Sequence, residues 1–171
     1  MLNVTFIRHA KSEWKSFDGN DFNRDISQIG MEKTKKIGSF LKKEKIIFDE
    51  VFCSPSLRTR KTLDILSPFF SNKPKVKYIE DLYHTSGKNL FDVLMLNAKK
   101  KRCLIVSHEP LLSSSIELFF NDYQNIDFVR ATENFSTSSL FNASFDCENW
   151  YEINVDIAQI NFFKKPKDLN L

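Results

Sequence analysis

Two of the three histidines in this 171-residue sequence directly follow short apolar runs. Arg8-His9 follows residues 3–7, and Ser107-His108 follows Cys103-Leu104-Ile105-Val106. A third run, Ile46 to Cys53, leads into Ser54-Pro55-Ser56-Leu57-Arg58, and a fourth, Val76 to Ile79, leads into Glu80-Asp81. Singly these residues are ordinary, since a histidine after a strand is more often structural and an arginine near a helix start is usually a solvated charge. Jointly they place two imidazoles, two guanidinium groups and a carboxylate at consecutive strand ends. Two planar forks of donors suit the oxygens of a tetrahedral dianion. One neutral imidazole can attack phosphorus while the remaining groups hold the equatorial oxygens, and nearby arginines favour the neutral ring by lowering its pKa. Phosphoryl transfer asks for little beyond this positioning and charge stabilisation.

The elements that must position these groups alternate. Residues 3–7 read as a buried strand. Residues 28–44 read as a helix capped by Ser27, with Gly30, Thr34, Gly38, Ile37 and Leu41 inward and Lys33, Lys35, Lys36 and Lys42 facing water. A strand over 46–53 precedes a helix to about Ser67, with proline tolerated in its first turn. A strand over 76–79, a helix over 88–98, a strand over 103–106 and a helix opened by Pro110 and running to about Phe120 follow. Residues 137–145 and 150–160 alternate like antiparallel or edge strands. Unbroken apolar strands interleaved with helices imply a three-layer α/β/α sandwich around a mostly parallel central sheet. Ligands of such folds bind outside the carboxyl ends of the strands, where these residues fall. Helices starting after Pro55 or Pro110 would aim free N–H groups at the same place.

Composition narrows the function classes. The 25 basic and 22 acidic residues give a net charge of +3, too balanced to argue for nucleic acid. Aromatics, mostly the 17 phenylalanines, are spread along the chain and read as core. Cys53, Cys103 and Cys147 have neither metal-ligand nor redox spacing, and the first two lie in strands as buried thiols. No stretch approaches the roughly 18 apolar residues of a membrane span, and the N-terminus lacks the basic and apolar regions of a signal peptide. The expectation is a reduced, cytoplasmic monomer with no membrane or nucleic-acid partner, organised as one domain over 1–163 with a solvated polar tail over 164–171.

Several segments carry a family resemblance. Phe6-Ile7-Arg8-His9-Ala10-Lys11-Ser12 resembles the Arg-His-Gly/Ala signature of the histidine phosphatase superfamily, the phosphoglycerate-mutase-like fold, and is most similar to its SixA-like phosphohistidine phosphatase branch. In the same chain order, Asp21 to Gly30 resembles that branch's Asp-x-x-Arg-Pro-Leu-Ser/Thr-x-x-Gly segment. Ser54 to Thr62 resembles Ser-Pro-Ala-x-Arg-Ala-x-x-Thr. Val106-Ser107-His108-Glu109-Pro110 resembles Val-Gly-His-Glu/Asn-Pro, and Phe135 to Ser139 resembles a late Phe-Pro-Thr-Ala/Gly segment. Asp25 and Ser136 stand where the branch has proline, and Lys15 stands where larger mutase-type members carry a phosphate-binding asparagine.

The resemblance implies that His9 is the transiently phosphorylated nucleophile, that Arg8, Arg58 and His108 complete the phosphate pocket, and that Ser12 joins the substrate contacts. It makes Glu80 the positional candidate for the general acid, with Asp81 as the alternative, and implies no metal and no cofactor. Arg24 either reaches the site or pairs with Asp21 or Asp25; Arg60 and His84 receive no role. The implied substrate is protein phosphohistidine. The alternatives are a small phosphomonoester, or a catalytically silent module that only binds phosphate groups. An imidazole leaves more readily than an alkoxide, so a poorly placed acid suits phosphohistidine better than a sugar phosphate.

Overall fold

The structure, a computed structural model, describes residues 1–84 and 86–170. Six strands, β1 (Leu2–Arg8), β2 (Glu50–Cys53), β3 (Lys75–Tyr78), β4 (Arg102–Ser107), β5 (Leu140–Phe145) and β6 (Ala158–Lys164), form one sheet in the order β3-β2-β4-β1-β5-β6. The first four in that order are parallel, while β5 runs antiparallel to both β1 and β6. Five helices flank the sheet: α1 (Gln28–Lys43), α2 (Leu57–Leu66), α3 (Leu90–Asn97), α4 (Leu111–Phe120) and α5 (Ile126–Glu133). This is the expected three-layer α/β/α architecture.

Alternation along the strands divides the core. Val4, Phe6, Phe52, Cys103, Ile105, Phe141, Ala143 and Phe145 pack with α3, α4 and α5 on one face. Ile7, Val51, Cys53, Leu104, Val106 and Leu140 pack with α1 and α2 on the other. Strands buried on both faces need apolar residues at every position, which is why the central runs are unbroken. The parallel register pairs Phe6 with Ile105 and Arg8 with Ser107, so β1 and β4 end level and deliver Arg8-His9 and His108 to the same edge.

α1 begins as its sequence suggests. Ser27 Oγ accepts from the Gly30 amide at 3.0 Å, and Gly30, Thr34, Ile37, Gly38 and Leu41 are its buried side. Its first turn is clamped to the chain leaving β1, because the Ser27 amide and hydroxyl both donate to the Lys11 carbonyl. A Cβ on Gly30 would sit 2.4 Å from that carbonyl oxygen, so only glycine lets the helix approach so closely.

Four local expectations change. Residues 46–49 are not strand: Lys45 adopts φ 54° after α1, the Ile46 amide returns to the Leu41 carbonyl, and buried Phe48 anchors the connection before β2 starts at Glu50. The left-handed turn completes a helix C-terminus and takes up the residues that read as early strand. α5 is additional, capped by Asn125, whose side chain accepts from the Asp127 and Phe128 amides. It buries only Phe128 and Ala131, too few to give a helical period in the sequence. Residues 150–157 form two 3-10 turns before β6. The chain from Lys164 is seated rather than solvated: Lys164 ends β6, Pro166 is buried, and Asp168 pairs with Arg130.

Gly30→Ala sets a helix-propensity gain of at most ~1 kcal/mol against overpacking of ~1–3 kcal/mol. Because the obstacle is backbone, the clash wins. Urea unfolding should show a lower midpoint with an unchanged slope, and a stabilised variant would contradict the clamp.

Candidate active site

Backbone ladders fix the end of β1 on both sides. The His9 amide donates to the Ser107 carbonyl at 3.1 Å, and the Ser138 amide donates to the Arg8 and His9 carbonyls at 3.1 and 3.2 Å. Nδ1 of His9 lies 2.7 Å from the Ala10 carbonyl oxygen. That oxygen can only accept, so Nδ1 carries the proton and Nε2 of the neutral ring keeps its lone pair. The Ala10 amide donates to Thr62 Oγ1 at 2.8 Å, and that hydroxyl donates to the Arg58 carbonyl at 2.7 Å, which ties α2 to the His9 segment.

His108 faces His9 with ring centroids 5.1 Å apart. Its Nε2 lies 2.7 Å from Oγ of Ser54, the residue that follows β2. With Ser54 donating, the proton of neutral His108 sits on Nδ1, a buried atom with no partner among the described residues. Arg58 is 6% exposed and donates through Nη1 to the Asp21 carbonyl at 2.9 Å and through Nη2 to Asp21 Oδ2 at 3.2 Å. Tyr83 donates to the same carboxylate oxygen at 2.9 Å, and Arg24 Nε lies 3.1 Å from Oδ1. Arg8 donates from Nη1 to the Phe135 carbonyl at 3.0 Å. Nε of both Arg8 and Arg58 is buried without a partner among the described residues.

These groups meet in a cavity of about 630 Å³ whose walls include Arg8, His9, Ser12, Arg24, Arg58 and His108. The structure thus brings together all the expected site residues but one. Glu80 is exposed in a 3-10 turn and does not line the cavity, and Asp81 is engaged by Ser86 and Lys88. Two carboxylates line the wall: exposed Glu13, and Glu109, whose oxygens accept from the Ser113 amide and hydroxyl at 2.8 and 2.6 Å. Arg24 both lines the cavity and pairs with Asp21, so the two readings of it coexist. Arg60 and His84 are exposed and outside it. Sequence reasoning gave no role to Ser54, to Glu109 or to Tyr83, although all three stand in or beside the segments it singled out. Among the described residues no three His, Cys, Asp or Glu side chains gather as a metal site would require.

Burial dominates the electrostatics. It pushes the His9 pKa down to about 3, with Arg58 and Arg8 adding to the shift, and pushes His108 down to about 3, with His9 and Arg58 adding. Arg8 is also lowered by burial, against the opposing field of Glu109. Both imidazoles are therefore neutral near pH 7. His9 keeps an Nε2 lone pair, and Arg8, Arg58 and His108 line the same cavity.

Comparison with known proteins returns the same fold. The model of the histidine phosphatase superfamily (branch 1) matches residues 4–86. An uncharacterised protein of Mycobacterium leprae is 25% identical over 166 residues, covering 94% of this chain and all of that protein. A protein of Agrobacterium tumefaciens, described as a candidate phosphohistidine phosphatase SixA, superposes with a TM-score of 0.79 at 19% identity, over 96% of this chain and 97% of its own. The protein histidine phosphatase SixA complexed with tungstate superposes with a TM-score of 0.73 at 17% identity, over 98% and 99%. At such identities the structural likeness is one of fold. The chain thus carries a histidine phosphatase superfamily match over residues 4–86 and shares the fold of the SixA structures over nearly its whole length.

The depressed histidine pKa values set a pH dependence of stability. Between the unfolded value near 6.5 and the folded value of about 3, the unfolded chain binds more protons, so stability falls as pH falls through that window. Urea midpoints should drop from pH 7 to pH 5, above the range where carboxylates titrate, and the drop should shrink in a His9→Asn/His108→Asn variant. An equal drop in that variant would contradict the assignment.

Proposed function

We propose that this chain is a phosphatase working through a phosphohistidine intermediate on His9, with protein phosphohistidine as its substrate. The observation that carries the reading is the His9 ring: its Nδ1 proton is committed to the Ala10 carbonyl, leaving Nε2 as the nucleophile in a cavity walled by Arg8, Arg58 and His108. Nε2 attacks phosphorus, and the bond from phosphorus to the leaving nitrogen breaks with that electron pair departing on the leaving imidazole, which picks up a proton. Water then attacks the phosphorylated His9, releasing inorganic phosphate and restoring the lone pair. The donors of Arg8 and Arg58 and the Nδ1 proton of His108 hold the equatorial oxygens as charge shifts between them. The SixA structure of the same fold holds tungstate, itself a tetrahedral oxyanion.

Protein phosphohistidine is favoured by the leaving group. An imidazole departs without a strong acid, and Glu80, expected to supply one, lies off the cavity. Lys11 and Trp14, which line the cavity, are exposed, and an open wall suits entry of a phosphorylated residue from another protein's surface. The second reading, a small-molecule phosphomonoesterase, draws on Glu109, whose place on the cavity wall would let it protonate an alkoxide.

A panel of a phosphohistidine protein, an aryl phosphate and an alkyl phosphate separates them. The expected order of turnover puts phosphohistidine first and the alkyl ester last, with activity surviving exhaustive chelation and inhibited by vanadate. Preference for the alkyl ester, lost in Glu109→Gln but kept in Glu80→Gln, would establish the second reading instead.

Arg58→Ala removes a donor fork from the phosphate pocket and should lower turnover by roughly 10²–10³, as loss of one oxyanion donor does. Arg60→Ala, on the exposed side of α2, should leave the rate unchanged in the same assay.

A further inference from the structure

Beside the catalytic cavity lies a second, smaller one of about 190 Å³, lined by Lys33, Lys165 and Lys167 together with Asn134, Ser136 and Thr137. Two elements run between them. Thr137 lines both cavities, and the neighbouring Ser138 amide is bonded to the Arg8 and His9 carbonyls. α1 contributes Ile29, next to its capped first turn, to the catalytic wall and Lys33, one turn later, to the second cavity.

The charge here is not neutralised by ion pairs among the described residues. None of the three lysines has a carboxylate within ion-pair distance among the described residues. Arg130, also near, is by contrast paired with Asp127 and Asp168. The carboxylates whose fields reach Lys165 are Asp168, occupied by Arg130 and the Lys165 amide, and Glu133. Burial and the repulsion of Lys167 and Arg130 hold the Lys165 ammonium below its ordinary range, so the cluster gains from an added anion.

We infer that this lysine cavity is a docking subsite for acidic residues flanking the phosphorylated residue of a protein substrate. The inference rests on the proposed protein phosphatase activity and adds a preference to it. A peptide whose phosphoryl group enters the catalytic cavity would pass along Thr137, with aspartate or glutamate side chains reaching Lys33, Lys165 and Lys167. Lysines suit this task, since mobile point charges accept carboxylates in several registers, whereas the bidentate arginines are kept for the phosphoryl group.

The test uses fluorescence anisotropy with labelled peptides bearing a non-hydrolysable phosphohistidine analogue, flanked either by glutamates or by serines. Wild-type protein should bind the acidic peptide about tenfold more tightly at low salt, the sum expected of three exposed charge pairs, and added salt should erase the difference. A Lys33→Gln/Lys165→Gln/Lys167→Gln variant should bind both peptides like the serine peptide and hydrolyse p-nitrophenyl phosphate at the wild-type rate. Equal binding of the two peptides by wild type, or an equal loss on both in the variant, overturns the subsite. An acidic preference in binding without turnover of phosphohistidine would overturn the proposed substrate and leave the subsite standing.

Discussion

The site depends on the convergence of like charge. Three guanidinium groups, those of Arg8, Arg24 and Arg58, and two imidazoles share one cleft, and unit charges 4 Å apart repel by about 4 kcal/mol at an effective dielectric of 20. The molecule meets this cost in two ways. Both imidazoles remain neutral, each pushed by burial to a pKa of about 3, so two of these five groups carry no charge at neutral pH. The guanidinium groups are restrained by partners on the side of their forks away from full pairing: Arg58 by the backbone and carboxylate of Asp21, Arg8 by the Phe135 carbonyl and the field of Glu109. Among the described residues, Nε of Arg8 and of Arg58 and Nδ1 of His108 stay buried without a hydrogen-bond partner beside His9. The same compromise keeps the His9 ring neutral, which the proposed nucleophilic role requires.

The scaffold makes this arrangement rigid. Arg8 and His9 are held by β4 on one side and by the Ser138–Ser139 turn on the other, and the turn is itself locked by a hydrogen bond between Ser138 and Thr34 of α1. The approach of α1 at Gly30 closes a circuit through Lys11 back to the His9 segment. Groups held on strand ends and backed by hydrogen bonds keep the geometry that charge stabilisation requires. Tyr83 extends the same support outward, binding Asp21 and packing edge-on to the His108 ring at 5.7 Å.

Much of this was legible in the sequence, and for identifiable reasons. Strands buried on two faces leave runs such as Cys103 to Val106, and the residues after such runs must lie on the ligand edge of a parallel sheet. Arg8, His9, Arg58 and His108 could be assigned to one cleft on that rule. Ser27 and Gly30 could be placed because capping and close approach each require particular residue types. Glu80 could not be positioned in this way. It also follows a strand, but β3 is the outer strand of the sheet, and a chain leaving the edge need not turn toward the middle. The Asp21–Arg58 pair joins residues 37 apart through side-chain geometry alone, and no local pattern announces it. Residues 46–49 misled because a helix C-terminus closed by Lys45 buries the same kinds of side chain as a strand start.

The central claim is that His9 is the nucleophile and that its Nδ1 is unavailable. Rapid mixing with a phosphohistidine protein, quenching in base and mapping the phosphoryl group by mass spectrometry and phosphorus NMR tests both parts at once. The account predicts a single base-stable, acid-labile adduct on His9, bonded at Nε2, that forms and decays at rates compatible with turnover. A phosphoryl group on His108 or His84, or one bonded to Nδ1 of His9, would contradict it.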